Sequence, residues 1–288
     1  MRAAKRFMIV FFCAILLSVF FRCSKSPFSS ENISEGCREI KGRLRLSDTM
    51  SYERIYVWLE VFSIGTFTDS TGSFQITLPP LAEQDGLGGT NNVCNLFFYV
   101  ANYKLSSAAT VVLNGEFLYS RGDFDSNGEL IGTRSLKKLV HISTVVEPNM
   151  ITADYEGKLS VNVALRAVLD SVKIMFPKLV GASSGAILLR KLETGDIFVD
   201  VPDSSSYLKD VLILGPGEEE VFQMVFDLDR ISLPEGQYEA VPFFLIEQEN
   251  ISEELLKSLG PNATELGPDF LKIPFRREGG YFSVTGSD

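Results

Sequence analysis

Apolar and polar residues alternate through most of the chain beyond residue 37, and this period of two constrains the fold more than any other feature. Successive side chains of a β-strand point to opposite faces, so the alternation predicts strands with one buried face. We therefore predict an all-β protein with two β-sandwich domains in tandem. The predicted strands cover residues 40–46, 55–62, 74–78, 96–100, 110–113, 139–146, 159–165, 172–176, 187–189, 212–214 and 221–226.

The strand at 55–62 differs from the others because it is apolar on both faces. Val57 and Leu59 share one face, and Tyr56 and Trp58 lie on the other. Such a strand is buried on both sides or covered by a neighbouring domain.

One short helix is predicted near the C-terminus, between Ser252 and Gly260. Ser252 can cap the first turn, and the two glutamates that follow it suit the positive end of a helix. Gly260 and Pro261 end the helix. The residues expected on its inward face are Leu255, Leu256 and Leu259.

Residues 1–22 have the pattern of an export signal. A basic segment at 2–6 precedes an uncharged apolar run at 7–21. A helix of that length reaches about 22 Å, short of the ~30 Å hydrocarbon core of a bilayer. Cys23 follows the run directly and resembles the acylated cysteine of a bacterial lipoprotein, with 23–36 as a tether. The resemblance implies a cell-envelope protein, anchored in a membrane on its periplasmic or cell-surface side. The alternative is an uncleaved N-terminal anchor.

Two further cysteines, Cys37 and Cys94, form an even pair in a chain predicted to reach an oxidising compartment. Disulfides persist in such compartments, so we predict that the two cysteines pair. The alternative is two unrelated buried thiols, which is common for unpaired cysteines.

Residues 37–113 carry motifs of a known module: Ile40-Lys41-Gly42 in the first strand, a tight turn over 68–74, and an aromatic strand end over 99–103. In the turn, Asp69 can accept backbone N–H bonds and Gly72 can take a positive φ. The segment resembles the carboxypeptidase regulatory-like, transthyretin-like β-sandwich, although Asn102 stands where that family often has glycine. The resemblance implies a non-catalytic spacer, stabiliser or docking unit.

A connecting β region at 114–150 leads to a second predicted sandwich at 151–288. Its segment 233–238, Leu-Pro-Glu-Gly-Gln-Tyr, resembles the tyrosine corner of immunoglobulin-like sandwiches. In that motif the phenol of the tyrosine, here Tyr238, hydrogen-bonds to backbone upstream.

Charge and histidine content exclude several functions. The net charge of −10 argues against nucleic acid, which needs a basic face. His141 is the single histidine, it shares the more polar face of its strand, and no recognisable nucleophile motif accompanies it. We therefore predict that the protein is not an enzyme.

The loop at 123–134 has the outline of a metal site. Asp123, Asp125 and Asn127 stand at positions one, three and five, with glycine at position six. This resembles the start of a calcium-binding EF-hand loop, but position twelve is Arg134, where a bidentate glutamate belongs. The alternative is a polar turn that needs no metal.

The predicted function is a non-enzymatic envelope lipoprotein that serves as a structural or protein-docking module. Its expected partners are the membrane, through Cys23, and another envelope protein. No cofactor is predicted beyond the calcium hypothesis. The alternative is a surface module that binds carbohydrate or calcium, in which aromatic residues at 97–99 would stack on sugars.

Overall fold

The computed structural model describes residues 37–48, 51–84, 92–179, 186–199, 207–229 and 231–286. Arg38–Asp288 forms one compact unit. The described chain is all-β, with several sheets in a sandwich-like arrangement and one α-helix. Within these ranges no helix has the length and apolar character needed to cross a membrane. Cys23 lies outside the described residues.

The first half, residues 38–136, builds two sheets around one apolar core. One sheet has the order β4-β1-β8 and the other the order β3-β2-β5-β6-β7. Alternate side chains such as Ile40 and Leu44 from one sheet and Leu96 and Phe98 from the other fill this core. The strands are β1 (Glu39–Leu46), β2 (Tyr56–Leu59), β3 (Ile64–Phe67), β4 (Ser73–Thr77), β5 (Asn92–Tyr99), β6 (Ser106–Leu113), β7 (Glu116–Phe117) and β8 (Arg134–Leu136).

The second half, residues 139–286, has its own core between three sheets, ordered β16-β11-β9-β19, β10-β20-β17-β13-β14 and β15-β12-β18. Val163 and Leu165 on one sheet and Leu189 on another are among its buried residues. The strands are β9 (Val140–Glu147), β10 (Met150–Thr152), β11 (Lys158–Ala167), β12 (Val172–Leu179), β13 (Ala186–Lys191), β14 (Ile197–Val199), β15 (Tyr207–Leu214), β16 (Glu219–Asp227), β17 (Gly236–Phe243), β18 (Leu245–Glu247), β19 (Glu278–Gly279) and β20 (Tyr281–Thr285).

The stretch at 114–150 divides between the two halves. β7 and β8 extend sheets of the first half, and Phe117, Phe124 and Leu136 lie in its core. β9 pairs with β11 in the second half. The chain crosses between the cores over residues 137–139.

The predicted turn before β4 forms as expected. The Asp69 Oδ1 atom accepts the backbone N–H groups of Thr71 at 2.8 Å and Ser73 at 3.0 Å. The hydrogen bond from the Thr71 hydroxyl, followed by these backbone bonds, lowers the pKa of Asp69. Gly72 has a φ of 81°, and a Cβ there would lie 2.3 Å from the carbonyl oxygen of Leu44. Glycine is therefore required by both conformation and space.

The prediction of burial on both faces is confirmed for residues 55–59, whereas Glu60 is exposed and Val61 and Phe62 are partly buried in the turn that follows β2. Val57 and Leu59 of β2 enter the first core. Tyr56 and Trp58 enter a separate cluster that joins the two halves. Its buried members are Tyr56, Trp58, Tyr99, Ala101, Ala186, Leu188, Val241, Phe243, Leu255, Leu259, Ala263, Phe270 and Ile273.

The predicted helix is α1 (Glu253–Leu259). The Ser252 hydroxyl accepts the backbone N–H of Leu255 at 3.2 Å, and Gly260 is the C-cap residue. Leu255 and Leu259 are buried in the cluster that joins the halves. The helix is short, so this burial supplies most of its stability.

The tyrosine corner has the geometry that the sequence predicts. The Tyr238 hydroxyl donates to the carbonyl oxygen of Pro234 at 2.6 Å. The Tyr238 ring is buried and stacks on Phe282, with centroids 5.2 Å apart. Burial, with the nearby carboxylates of Glu193 and Asp196, raises the pKa of Tyr238 to about 12.

We expect Tyr238→Phe to lower the free energy of unfolding by about 1 kcal/mol, because one hydrogen bond is lost and the Pro234 carbonyl loses its donor. Guanidinium denaturation measures this change. The control is Tyr281→Phe, since Tyr281 is exposed and the same substitution there should have almost no effect. Equal effects of the two variants would contradict a structural role for the corner.

Candidate docking groove

The crossing segment, residues 137–139, is held by backbone groups of the first half. The Lys104 N–H donates to the Lys137 carbonyl at 2.8 Å, and the Leu139 N–H donates to the Asn102 carbonyl at 2.9 Å. Tyr103 and Lys138 form a β-bridge between these contacts. The segment therefore has a fixed position between the halves.

Asn102 is fully buried, and its side chain bonds both halves together. The Nδ2 group donates to the carbonyl oxygens of Val140 at 3.0 Å and Arg276 at 2.9 Å. The Oδ1 atom accepts the Arg276 N–H at 2.9 Å. The family resemblance marked Asn102 only as a departure from glycine and gave no sign of this role.

Gln248, which follows β18, makes a second set of contacts between the halves. Its Nε2 group donates to the carbonyl oxygens of Ala101 and Tyr103, both at 2.9 Å. Its Oε1 atom accepts the Leu105 N–H at 2.9 Å. Nothing in the sequence pattern distinguished this glutamine, because its partners lie more than a hundred residues away.

A groove follows this junction on the protein surface, and we call it the seam groove. It consists of three adjoining cavities of about 670, 330 and 540 Å³. Lys104, Leu105 and Asp170 line the first and second cavities, and Lys137 and Leu169 line the second and third. The remaining lining residues are Asn95, Phe97, Ser106, Ser107, Leu139, Ser171, Val172, Glu247, Gln248, Glu249, Asn250, Ser135, Ser47, Asp48, Lys138, His141, Arg166, Val168 and Glu278.

Apolar side chains line the groove along its length. Val168 and Leu169 are 44% and 42% exposed, and Leu105 and Phe97 are partly buried. The ion pair between Lys104 and Asp170, 3.1 Å apart, joins the two halves beside them, and both side chains are largely exposed. Exposed apolar side chains beside polar groups are common at binding surfaces.

The third cavity gathers basic side chains, and we call it the basic end. Lys137 and Lys138 come from the crossing segment, whereas His141 and Arg166 are directly opposite each other in β9 and β11. The Nε2 atom of His141 lies 3.6 Å from the Glu278 carboxylate. This is where the structure places the single histidine, on the outward face of its strand as predicted.

Asp48 is the acidic group held most firmly at the basic end. It accepts a hydrogen bond from the Tyr103 hydroxyl at 2.5 Å and forms an ion pair with Lys138. Burial acts to raise the pKa of Asp48, but the bonds to Lys138 and Tyr103 outweigh burial and lower it.

Because the pKa of Asp48 is lowered by folding, its charge stabilises the protein above the ordinary aspartate pKa, and this contribution disappears as pH falls through the lowered value. We expect the melting temperature of wild type to exceed that of Asp48→Asn most above about pH 5. The difference should shrink steadily below about pH 4. A difference that does not change with pH would contradict the ion pair.

The aromatic residues proposed to stack on sugars have different environments. Phe98 and Tyr99 are buried and cannot contact a ligand. Phe97 alone lines the groove, and it stacks on Trp58 with centroids 6.0 Å apart.

The predicted calcium loop has its side chains engaged by protein donors. The Asp123 Oδ1 and Oδ2 atoms accept from Arg134 at 2.7 Å and from the Ala109 N–H at 2.8 Å. The Asp125 Oδ1 atom accepts the backbone N–H groups of Glu129 and Asn127, and these two bonds lower the pKa of Asp125. No cluster of three or more histidine, cysteine, aspartate or glutamate residues suited to a metal occurs in the described ranges. Calcium binding through Asp123, Asp125 and Asn127 stays a prediction.

The two cysteines of the predicted disulfide differ in their burial. Cys37 is partly exposed, whereas Cys94 is buried in β5. Burial, together with the charge of Glu60, raises the pKa of the Cys94 thiol to about 11. Their pairing stays a prediction, which alkylation of the unreduced native chain would test.

Comparisons with known proteins give no assignment. No family model matches the chain, and no curated protein matches it. The structure by itself defines the fold class, which is all-β with a sandwich-like arrangement of sheets.

Similar solved structures include Spo0M, a sporulation control protein from Bacillus subtilis, at 13% identity and a TM-score of 0.23, covering 38% of this chain and 47% of that one. BcpA, the major pilin subunit of Bacillus cereus, is 9% identical with a TM-score of 0.27, covering 73% and 67%. The Bacillus anthracis TIE protein is 9% identical with a TM-score of 0.24, covering 74% and 48%. The match to Spo0M spans about half of that chain. These values are too low to assign a function.

Proposed function

We propose that this protein is a non-enzymatic docking module of the cell envelope, and that it binds an extended segment of another protein in the seam groove. The observation that supports this function most directly is the groove itself. It links three cavities along a junction of two halves, and it exposes Val168 and Leu169 beside polar groups. An elongated, partly apolar groove suits a peptide better than a compact ligand.

The rigidity of the junction supports the same function. Asn102 and Gln248 each make three side-chain hydrogen bonds across the halves. The apolar cluster around Trp58 adds a second connection between the halves. A groove with fixed walls loses little conformational entropy when a segment binds, so more of the contact energy appears as affinity.

Attachment to the envelope is the second part of the proposal, and it rests on the N-terminal sequence. In detergent phase separation, we expect the protein processed from the full-length chain to partition into the detergent phase. Mass spectrometry should show acyl chains on Cys23. Cys23→Ala should lose the modification. A cleaved, soluble wild-type chain with an unmodified Cys23 would contradict the lipid anchor and leave the groove proposal intact.

Selection from a random peptide display library tests docking even though the partner is unidentified. We expect immobilised full-length wild type to enrich peptides that fail to bind Ser106→Trp, because Ser106 lines the first two cavities and a tryptophan would fill them. The matched control is Thr66→Trp, which alters a separate cavity on the first half. Enriched peptides that bind Ser106→Trp as well as wild type, or no enrichment, would contradict docking in the groove.

A second candidate function is carbohydrate binding in the first cavity of the seam groove. Phe97 is partly buried there and lines the same cavity as the amide side chains of Asn95 and Asn250. An aromatic ring among amide groups is suited to a sugar, which offers an apolar face and hydroxyl groups. Glycan-array binding that is lost in Phe97→Ala would favour this function over peptide docking.

A further inference from the structure

The basic end of the seam groove is unusual for a chain of net charge −10. Lys137 and Arg166 are both exposed and face the same cavity. Neither forms a salt bridge with any described residue. Two cations without a salt bridge to any described residue therefore line the same concave surface of an acidic protein, and Glu219 of β16 lies directly opposite Arg166 in the sheet without forming one.

The two acidic residues of this cavity, Asp48 and Glu278, are outnumbered by its three lysine and arginine residues. Asp48 is engaged by Lys138 and by the Tyr103 hydroxyl. Glu278 lies beside His141, and its side chain is 65% exposed. The cavity therefore keeps one net positive charge from Lys137, Lys138 and Arg166 against Asp48 and Glu278, and neither Lys137 nor Arg166 forms a salt bridge with these carboxylates.

Fixed backbone holds both cations in position. The Lys137 carbonyl accepts the Lys104 N–H at 2.8 Å, so the base of this side chain is anchored. Arg166 lies near the end of β11, between β9 and β16 in the sheet. The guanidinium group of arginine can bind a carboxylate through two parallel hydrogen bonds, and lysine adds a second charge-assisted contact.

Apolar surface adjoins these charges directly. Val168 follows Arg166 by two residues, and it lines the same cavity as Leu169. A ligand that fits both features carries a carboxylate next to an apolar group. Acidic residues next to leucine, valine or phenylalanine in an extended segment have this arrangement.

We propose that the basic end selects partner segments in which aspartate or glutamate side chains adjoin large apolar residues, and that Lys137 and Arg166 bind those carboxylates. This inference rests on docking in the seam groove and specifies the chemistry of the partner. The Lys104 and Asp170 pair marks the boundary between this end and the wider, amide-lined cavity.

The test uses the peptides that wild type enriches from the random library. We expect them to contain acidic residues beside large apolar residues well above the frequency of the starting library. Synthetic copies with the acids changed to amides should bind about tenfold more weakly, the change expected for one charge-assisted hydrogen bond.

The unaltered peptides should bind the double variant Lys137→Gln/Arg166→Gln about tenfold more weakly than wild type. Raised salt should weaken their binding to wild type more than their binding to this variant. The control is Lys158→Gln/Lys191→Gln, because these lysines lie in β11 and β13 and do not line the groove.

The outcomes separate the two proposals. Peptides that depend on Ser106 but show no enrichment of acids, or that bind Lys137→Gln/Arg166→Gln as tightly as wild type, would overturn the carboxylate preference and leave docking supported. A lack of any Ser106-dependent peptide would overturn docking itself. Equal weakening by the Lys158→Gln/Lys191→Gln control would show that only the overall charge matters, which also overturns the assignment to Lys137 and Arg166.

Discussion

Replacing Asn102 with alanine is expected to lower the free energy of unfolding by about 3 kcal/mol, a large effect for a polar side chain. The change removes three side-chain hydrogen bonds that join the halves. It also leaves the Val140 and Arg276 carbonyls and the Arg276 N–H without these partners at a buried junction. Each such loss costs about 1 kcal/mol or more.

Guanidinium denaturation of the full-length chain measures this effect, with Asn95→Ala as the matched control. Asn95 is exposed, and its side chain makes one exposed hydrogen bond to Glu60. We expect Asn95→Ala to change stability by no more than about 0.5 kcal/mol. If Asn102→Ala behaved like the control, the junction would not depend on this side chain.

Replacing Trp58 with alanine is expected to lower the free energy of unfolding by about 3 to 5 kcal/mol, as for other large aromatic side chains removed from a core. Trp58 is 1% exposed and belongs to the cluster shared by both halves. Its ring also supports Phe97, which lines the groove. The variant should therefore lose both stability and affinity for groove peptides.

Trp58→Phe separates the packing of the ring from its polar atom. The Trp58 Nε1 group has no hydrogen-bond partner among the described residues, so phenylalanine removes an unsatisfied donor while it keeps an aromatic ring. We expect this variant to be destabilised by only about 1 to 2 kcal/mol, because the remaining cavity is small. Guanidinium denaturation measures the free energy of unfolding of both variants. If Trp58→Phe and Trp58→Ala lowered it equally, the destabilisation would not depend on the volume of side chain removed.

Features that depend on near neighbours in the sequence were predictable. The Asp69 turn closes between residues 69 and 73, the Ser252 cap reaches three residues along, and the Tyr238 hydroxyl reaches back four residues. The alternating strands were recognisable for the same reason, because a single strand displays its own period. The two-sided burial of β2 followed from its apolar residues on both faces.

The groove was not predictable, because its parts come together only in the folded chain. Asn102 bonds to Arg276, 174 residues away, and no local pattern indicates this contact.

Short strands such as β14 (Ile197–Val199) and β19 (Glu278–Gly279) were not predictable either, because they contain too few residues to show a period. Arg134 was recognised only as a poor calcium ligand, whereas the structure shows it as the ion-pair partner of Asp123.

Hydrogen–deuterium exchange of the full-length chain, with and without its tightest library-selected peptide, tests docking in the seam groove most directly. We expect protection of backbone amides at 104–107, 137–139 and 168–171, which line all three cavities. Backbone amides of the residues that line the cavity beside Thr66, on the first half, should exchange at the same rate with and without the peptide. Protection confined to that cavity, or elsewhere outside the groove, would contradict the proposed docking site.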